Sequence, residues 1–393
     1  MELSSRAIAR RAKTFLRTHD LEIFVPVLPG LEQTALDEIK SIGHDATLTA
    51  GGVSLKGNLS TVYAINLMHR TGNRVLIRIG DFLAQSYPML YDHTKKLPWE
   101  ILLGNCPEVE VKVAFAKSRL RNKSHIRDVV RDAIVARCTA LGLGPALGRP
   151  ASATLFLRLH QDRCTISLDS TGTHLHKRGY RIEEVAAPIR ETTAAGILLL
   201  ADAASYPVII DPFCGSGTFC IEAELLARRV APGLHRSFAM EHSPLHSAGT
   251  YAQVWREMAS FERQAAGVRI FGSDIDPQAV KLANAGRARA QCTIARFHVA
   301  DVLTMSFRSL KKVGERGLIV ANLPYGRRLS TPIEVRNMLV EFKDHLLRQG
   351  AGWDFALVTA HPEIFANSPL TVKRQLRFTN GGVRVAAVIG AVP

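Results

Sequence analysis

The sequence predicts an α/β protein in which a doubly wound parallel sheet follows smaller α+β modules. From Pro188 onward, short β-branched segments alternate with patterns of helical spacing, as a parallel sheet requires. Before that point, strands and helices alternate in shorter units, which is typical of small α+β modules. The 393 residues are 47% hydrophobic and 22% charged, which is enough for two or three globular domains with sizeable cores.

The first half of the chain divides into a basic arm over residues 1–20 and two α+β pieces over 21–80 and 81–168. The arm is expected to be helical or frayed. Within 21–80 we predict strands at 21–27, 53–55 and 74–79, and helices at 31–41 and 59–67. Within 81–168 we predict helices at 90–101 and 124–141, and strands at 109–115, 154–159 and 163–168. Pro98 must lie near one end of its helix because proline has no backbone N–H.

Residues 169–187 are polar, glycine-bearing and basic, and are predicted to link these pieces to an α/β domain over 188–393. In that domain we predict helices at 191–204, 277–290 and 333–349, and strands at 207–210, 268–272, 295–299, 317–321, 354–358 and 383–389. The final hairpin is expected to be antiparallel, and residues 228–267 to be an insertion. Ligands of such sheets bind at the carboxyl ends of the strands.

A glycine-rich turn, Asp211-Pro-Phe-Cys-Gly-Ser-Gly-Thr218, joins the strand at 207–210 to a helical pattern. Gly215 and Gly217 have no Cβ, so the backbone there can approach a ligand closely, and the helix N-terminus favours a carboxylate. We expect Phe213 and Ser216 to line the same site. The turn lacks the full Gly-x-Gly-x-x-Gly pattern, and no acid/base set for hydride transfer accompanies it, which argues against a nicotinamide cofactor.

Aspartates follow three of the predicted strands, where they suit an adenosine-containing cofactor. Asp211 can face an ammonium group, Asp274 can accept both ribose hydroxyls, and Asp301 can accept the adenine amino group. Their neighbours are predicted to line the same cofactor: Ile275 and Val302. Asp276 directly precedes a proline and is expected to cap a helix instead. Together with the glycine turn, these positions predict S-adenosylmethionine as the cofactor.

The turn Asn322-Leu-Pro-Tyr-Gly326 follows the strand at 317–321 and suits a planar amine. The lone pair of a nucleobase amine is delocalised into the ring, so the amine is a poor nucleophile. If the Asn322 amide oxygen and a carbonyl at Leu323 or Pro324 accept its hydrogens, the lone pair is directed at the methyl group. Tyr325 can stack on the base, which contributes about 1–3 kcal/mol. The sulfonium donor is already activated, so positioning should supply most of the acceleration.

The formal net charge of +15 suggests a polyanionic partner. The stretch 117–125 holds four cations in nine residues and precedes a predicted helix, where it suits phosphate contacts or a solvated loop equally well. The candidate RNA-binding residues are Lys117, Arg119, Arg121, Lys123, Lys177 and Arg178.

Four segments of the second half resemble THUMP-domain RNA methyltransferases, class I enzymes that make N2-methylguanosine. They are residues 211–218, Ala231-Pro-Gly233, Gly272-Ser-Asp-Ile-Asp-Pro277 and 322–326. Leu175-His-Lys-Arg-Gly-Tyr-Arg181 and Ala187-Pro-Ile-Arg-Glu-Thr192 are similar to the family's segment between its RNA-binding and catalytic parts. The resemblance implies a ferredoxin-like piece over 21–80, a THUMP module over 81–168 and a Rossmann-like catalytic domain over 188–393. It also implies that Glu191 and Thr192 line the methionine end of the cofactor.

Within that family the chain resembles most the bacterial 23S rRNA guanine-N2 methyltransferases, and tRNA-modifying relatives are the alternative. Leu323 stands where many bacterial members have proline; a carbonyl acceptor survives that change. A DNA adenine-N6 methyltransferase would use the same Asn-x-Pro-Tyr site, but no helix-turn-helix pattern appears in the basic N-terminal half. A non-catalytic RNA-binding factor is disfavoured by the intact Asp211, Asp274, Asp301 and Asn322.

The cellular setting is predicted from what the sequence lacks. No apolar run reaches the roughly 18 residues of a membrane span, and the arginine-rich start does not resemble a signal peptide. Six cysteines without a Cys-x-x-Cys pair suggest a reducing cytosol. We therefore expect a cytoplasmic protein with RNA as its partner, no metal and no obligate protein partner; Cys214 and Cys220 are expected to be packing residues.

Overall fold

The computed structural model describes residues 4–104, 108–143, 153–182, 188–265, 267–312, 314–325 and 331–393. By their internal contacts they form two compact units. The first comprises Met1–Pro26, Ile39–Leu175 and Ser237–Met258, and the second comprises Val27–Glu38, His176–Arg236 and Ala259–Pro393. Cys106, Ala187 and Gly326, which the sequence patterns include, lie outside the described residues.

The chain up to the middle of the protein contains one seven-stranded sheet with helices around it. The strands are β1 (Leu21–Pro26), β2 (Thr47–Thr49), β3 (Gly52–Gly57), β4 (Leu76–Leu83), β5 (Val109–Ala116), β6 (Ala153–His160) and β7 (Arg163–Asp169). The helices are α1 (Ser5–Thr18), α2 (Glu32–Ser41), α3 (Leu59–Met68), α4 (Tyr87–Lys96), α5 (Trp99–Leu103) and α6 (Lys123–Ala140). The strand order is β2-β3-β1-β4-β7-β6-β5, so both predicted α+β pieces contribute to a single sheet.

The basic arm takes the helical form of the two that were expected, and the helix predicted over 90–101 needs correction. The basic arm is a regular helix, α1, whose N-terminus is capped by the Ser4 side chain and whose Ile8 and Ala12 are buried. The helix predicted over 90–101 is two helices, α4 and α5, with the break at Leu97–Pro98, where proline cannot donate the next helical hydrogen bond.

The segment after β7 was predicted to be a polar linker, but its first residues are buried. The Asp169 carboxylate pairs with Arg74. The Thr171 hydroxyl donates to the Asn66 side chain at 2.7 Å and accepts from the Val75 N–H at 2.8 Å. The first polar residues of this segment are therefore internal hydrogen-bond partners and are not solvated.

The second unit contains a seven-stranded sheet of order β10-β9-β8-β11-β12-β14-β13. Its strands are β8 (Val208–Asp211), β9 (Arg269–Asp274), β10 (Arg296–Val299), β11 (Gly317–Asn322), β12 (Trp353–Thr359), β13 (Thr371–Asn380) and β14 (Val383–Ala391). Its helices are α7 (Glu191–Leu200), α8 (Thr218–Ala227), α10 (Pro277–Arg289), α11 (Pro332–Gln349) and α12 (Pro362–Ala366). The neighbouring pairs from β10 to β12 are parallel, and β14 is antiparallel to both β12 and β13.

The sheet of the second unit is buried on both faces, which confirms the predicted Rossmann-like fold. Along β11, Leu318 and Val320 join one hydrophobic cluster with α7, α8 and α10, while Ile319 and Ala321 join the other with α11. Strands buried on both faces read as continuous apolar runs, which is why the sequence pattern of these strands is apolar without alternation.

Residues 228–267, predicted to be an insertion, include helix α9 (Ala248–Ala259), and Ser237–Met258 belongs to the first unit. The Tyr63 hydroxyl there contacts His246 Nδ1 at 2.8 Å and accepts from the Ser247 N–H at 3.0 Å. No helix within the described residues is long and apolar enough to cross a bilayer.

Candidate active site

A cavity of about 410 Å³ opens at the carboxyl ends of β8, β9 and β11. Doubly wound sheets bind ligands at this edge because polar loops and helix N-termini converge there. Its lining includes most of the residues that the sequence predicts: Asp211, Phe213, Gly215, Ser216, Asp274, Ile275, Asp301, Val302, Asn322, Leu323 and Pro324. It does not include Glu191, Thr192, Gly217 or Tyr325.

Gly215 and Gly217 of the turn are needed for different structural reasons. Both have left-handed backbone, with φ of 51° at Gly215 and 79° at Gly217. Gly215 lines the cavity, and its N–H donates to Asp274 Oδ2 at 2.9 Å. A Cβ on Gly217 would lie 2.7 Å from Cζ of Phe297 and 3.0 Å from Cβ of Ala283. Gly217 is therefore needed for the packing of the turn against its neighbours, whereas Gly215 faces the ligand space.

The aspartates at the end of β9 and after β10 shape the loops that follow them through hydrogen bonds from backbone N–H groups. Asp274 Oδ1 accepts from the Asp276 N–H at 3.0 Å, and Asp301 Oδ1 accepts from the Leu303 N–H at 2.9 Å. Each carboxylate thus holds a loop at the edge of the cavity that it also lines. Asp276 accepts from the Gln278 N–H at 2.9 Å as the N-cap of α10, which confirms the predicted cap.

Asp211 is the most buried carboxyl group of the cavity, with 2% of its surface exposed. Burial, together with the nearby Asp274 charge, raises the pKa of Asp211 well above its usual range, although a hydrogen bond from the Phe213 N–H opposes the shift. A cation placed in the cavity would favour the ionised form of this carboxyl group. The position therefore suits a positively charged ligand group.

The turn after β11 is held in place by buried residues and by a hydrogen bond to β12. Leu323 is fully buried, and its N–H donates to the Val358 carbonyl at 2.9 Å. Tyr325 does not line the cavity: it is 4% exposed and belongs to a hydrophobic cluster of the core. Its hydroxyl accepts a hydrogen bond from Nδ2 of Asn380 and also bonds the Asn322 side chain. Burial raises the pKa of Tyr325. In this arrangement the ring is not available to stack on a base, because it packs inward.

Glu191 and Thr192, which were expected to line the methionine end of the cofactor, do not line the cavity. Both are buried, and Glu191 pairs with Arg181 Nη2 at 3.3 Å. Burial raises the pKa of Glu191 to about 7, while Arg181 opposes the shift. Arg181 also donates to the carbonyl of Ile189, a residue of the cavity wall, at 2.9 Å.

Sequence reasoning missed several residues of the site. Asn380 contacts the Tyr325 hydroxyl and the Pro188 carbonyl from the distant β13–β14 hairpin, and no local pattern marks it. Glu334 lines the cavity and forms a capping box with Thr331 at the start of α11. The Thr-x-x-Glu spacing before an apolar helix is a sequence signal that could have identified Glu334.

The basic candidates separate into exposed and buried residues. Lys117, Arg119, Arg121 and Lys123 are exposed in the loop and first turn of α6, and the N–H groups there are capped by Asn122. Arg119 lies 3.4 Å from Asp162. Lys177 is exposed. The prediction for Arg178 is corrected: its side chain is 3% exposed and lies 3.5 Å from the buried Glu222, so it neutralises an internal carboxylate and cannot reach RNA.

The thiol of Cys214, which lines the cavity, is buried. Burial, with the Asp211 and Asp274 charges, raises the pKa of Cys214 well above its usual range, which keeps it a neutral thiol. Cys220 is also buried. Among the described parts of the chain, no group of three or more His, Cys, Asp or Glu side chains is placed to hold a metal ion.

Two family profiles match the chain. Residues 178–385 match the RMKL-like methyltransferase domain, and residues 22–76 match the RlmL ferredoxin-like domain. Proteins named ribosomal RNA large subunit methyltransferase K/L are similar to it: the one from Syntrophotalea carbinolica is 31% identical over 92% of this chain and 52% of its own length. The one from Methylococcus capsulatus is 32% identical over 92% of this chain and 50% of its own length. The chain thus spans about half the length of the curated relatives it matches.

Solved structures of similar length share the fold. SMU.472, named as a methyltransferase and solved in complex with SAH, is 26% identical with a TM-score of 0.83, over 95% of this chain and 98% of its own. A Listeria monocytogenes protein, named by prediction as an N6-adenine-specific DNA methylase, is 27% identical with a TM-score of 0.85, over 97% and 98%. With a matching profile over more than half of its residues and the predicted aspartates gathered at one cavity, the chain belongs to the RMKL-like methyltransferase family.

Proposed function

We propose that this protein transfers a methyl group from S-adenosylmethionine to the exocyclic N2 amine of a guanosine in 23S rRNA. The observation that carries the proposal is the convergence of Asn322 with Asp211, Asp274 and Asp301 on one cavity. The carboxylates that suit the cofactor and the amide that suits the target amine therefore line the same cavity. The names of the relatives, ribosomal RNA large subunit methyltransferases, support RNA as the substrate.

The residues of the cavity fit S-adenosylmethionine. A volume of about 410 Å³ falls in the range of small-molecule sites, and its wall combines carboxylates with apolar side chains such as Val302, Leu303 and Met338. Asp274 would hold the ribose hydroxyls, Asp301 the adenine amino group, and the buried Asp211 the ammonium. When bound, the cofactor supplies an electrophilic methyl group on a sulfonium.

Asn322 would orient the target amine. Its amide oxygen accepts one amine hydrogen, and a carbonyl at Leu323 or Pro324 accepts the other, which directs the nitrogen lone pair toward the donor side of the cavity. The Leu323 N–H bond to the Val358 carbonyl fixes this turn to β12, so the acceptors are held before substrate binds. Such preorganisation is the main contribution available to an enzyme whose donor is already activated.

Tyr325 would support this step through its hydroxyl. It bonds both Asn380 and Asn322, so it holds the Asn322 side chain in one orientation from inside the core. Base stacking would then come from a residue on the cavity surface, and Phe213 lines that surface.

RNA contact outside the cavity is proposed for the N-terminal half. Its residues 21–80 would form the ferredoxin-like piece and 81–168 the THUMP module, with Lys117, Arg119, Arg121 and Lys123 directed at phosphates. These four side chains are exposed, and Lys123 lies in the first turn of α6, where Asn122 caps the Ser124 and His125 N–H groups. Lys177 is an exposed candidate in the catalytic unit.

The substitution Asn322→Ala tests the proposed role of the turn. Methyl transfer to RNA should fall by at least a hundredfold, the scale of losing one preorganised electrostatic contact, while S-adenosylmethionine binding measured by calorimetry stays within about twofold. Asn367→Ala removes the same amide from an exposed position and should change neither quantity. Wild-type turnover in Asn322→Ala would show that another group orients the amine.

Methylation assays with different nucleic acids distinguish the alternative methyl acceptors. A tRNA guanosine and a DNA adenine present amines that the same turn can accept. Equal or faster methylation of tRNA than of 23S rRNA would move the assignment to a tRNA guanine-N2 enzyme. Methylation of double-stranded DNA without RNA activity would overturn the RNA proposal.

A further inference from the structure

The β13–β14 hairpin extends past the edge of the sheet at which the cavity opens. Thr359, the last residue of β12, pairs with Ala386 of β14, so the hairpin residues on the turn side of Ala386 continue beyond β12. Gly381 and Gly382 form the turn with φ of 55° and 84°, the left-handed conformation of a tight hairpin. The tip of the hairpin therefore lies at the carboxyl edge, where β11 ends at Asn322.

The two faces of this hairpin differ in chemistry because side chains alternate along a strand. Phe378 and Asn380 are buried, and Asn380 contacts the Tyr325 hydroxyl and the Pro188 carbonyl. Arg377 and Thr379 point the other way and are exposed, as is Arg384, which pairs directly with Thr379 across the hairpin. One face thus supports the catalytic turn while the other is basic and open to solvent.

The basic face forms one wall of a groove of about 460 Å³. The opposite wall is formed by Ala360 and Pro362, which follow β12. Arg377 pairs with Ala386 and Thr379 with Arg384, so the two arginines are diagonal neighbours, with Cα atoms on the order of 7–8 Å apart. Two guanidinium groups and a hydroxyl can therefore converge on one ligand in the groove.

The charge of these arginines is not neutralised by a carboxylate within the described parts of the chain, where neither makes an ion pair or a side-chain hydrogen bond. Two other cations of the same unit are paired: Lys373 contacts Asp354 at 2.8 Å, and Arg336 contacts Glu363 at 3.3 Å. Arginine also binds phosphate in a bidentate fashion, which gives a defined geometry. The groove therefore has the charge and donors that suit a phosphodiester.

We propose that the groove between the β13–β14 hairpin and the turn after β12 binds the backbone phosphates of the RNA strand next to the target nucleotide. Arg377 and Arg384 hold the phosphates, and Thr379 donates its hydroxyl. Because Asn380 of the same hairpin supports the Asn322–Tyr325 turn, phosphate binding sets the strand in register with the amine site. This inference rests on the proposed RNA methyltransferase activity.

The double variant Arg377→Ala/Arg384→Ala tests the groove. The assay substrate is protein-free 23S rRNA from a strain that lacks the gene. We expect KM for RNA to rise by about tenfold or more with kcat changed less than threefold, and the slope of log K against log salt to become shallower by about 1.4–1.8 for two phosphates. S-adenosylmethionine affinity and Tm should stay at wild-type values, because both side chains are exposed.

The matched control is Arg374→Ala, which removes an exposed arginine from the same strand on the alternate face. An unchanged KM and salt slope in the double variant, or an equal loss in Arg374→Ala, would overturn the groove proposal while leaving the RNA activity intact. If the wild-type protein methylates no RNA, the proposed function fails instead. The two failures are therefore distinguishable in one set of measurements.

Discussion

Tyr325→Phe separates two roles for this residue that the sequence alone could not separate. Phenylalanine keeps the aromatic ring and its 4% exposed position in the core but removes the hydroxyl. A stacking role needs only the ring, so it predicts near-normal turnover. The hydroxyl accepts a hydrogen bond from Asn380 and also bonds the Asn322 side chain, so the positioning role predicts a loss, because the orientation of Asn322 would no longer be fixed.

The size of the loss follows from the buried hydrogen bonds. A buried donor left without its partner costs about 1–3 kcal/mol. If this energy is lost from the alignment of the amine, kcat falls by about 5- to 150-fold, since 1.4 kcal/mol corresponds to a factor of ten. KM for S-adenosylmethionine should stay within about twofold, because Tyr325 does not line the cavity.

Single-turnover methylation of RNA with saturating cofactor measures this effect. Tyr206→Phe is the control. The Tyr206 hydroxyl accepts a hydrogen bond from Arg316 at 3.2 Å and does not line the cavity, so this variant should keep wild-type kcat. The variants Tyr325→Phe and Asn380→Ala should not be additive, because they interrupt the same chain of hydrogen bonds. Wild-type kcat in Tyr325→Phe would refute the positioning role.

Three further predictions concern other parts of the protein. Glu191 has a pKa of about 7 in the folded protein against an ordinary value of 4.5, so the folded state holds a proton that the unfolded state releases. The free energy of unfolding should therefore fall as pH rises from about 4.5 to 7. Chemical denaturation measures this fall, and Glu191→Gln should remove it. Gly217→Ala should lower the free energy of unfolding by about 2–4 kcal/mol, because it combines a left-handed φ with a Cβ 2.7 Å from Phe297; a wild-type midpoint would contradict the packing role. Charge reversal at Arg119 and Arg121 should weaken RNA binding and flatten its salt dependence in a filter-binding titration, and unchanged affinity would show that this loop does not contact RNA.

The fold of the second unit could be predicted because its local signals agree with each other. Apolar runs such as 317–321 mark strands buried on both faces, and glycine or Asp-Pro signals mark the turns after them. The cavity residues could be predicted for the same reason: Asp211, Asp274 and Asn322 each stand at the carboxyl end of a strand, and parallel strands bring these ends to one edge.

The rest depended on contacts between distant residues. The inward packing of Tyr325 requires Asn380, which lies 55 residues away on another strand. Arg178 was predicted to bind RNA, but Glu222 of α8 lies 3.5 Å from it in the core. Neither pairing has a periodic or spacing signal, so a single sequence cannot reveal it.

The most direct test of the account is nucleoside mass spectrometry after methyl transfer in vitro. The purified protein is incubated with S-adenosylmethionine carrying an isotopically labelled methyl group and with 23S rRNA, tRNA and double-stranded DNA in parallel. The account predicts labelled N2-methylguanosine in 23S rRNA, and its loss in Asn322→Ala. Label in N6-methyladenosine, or label only in tRNA or DNA, would contradict the assignment of guanine N2 in 23S rRNA.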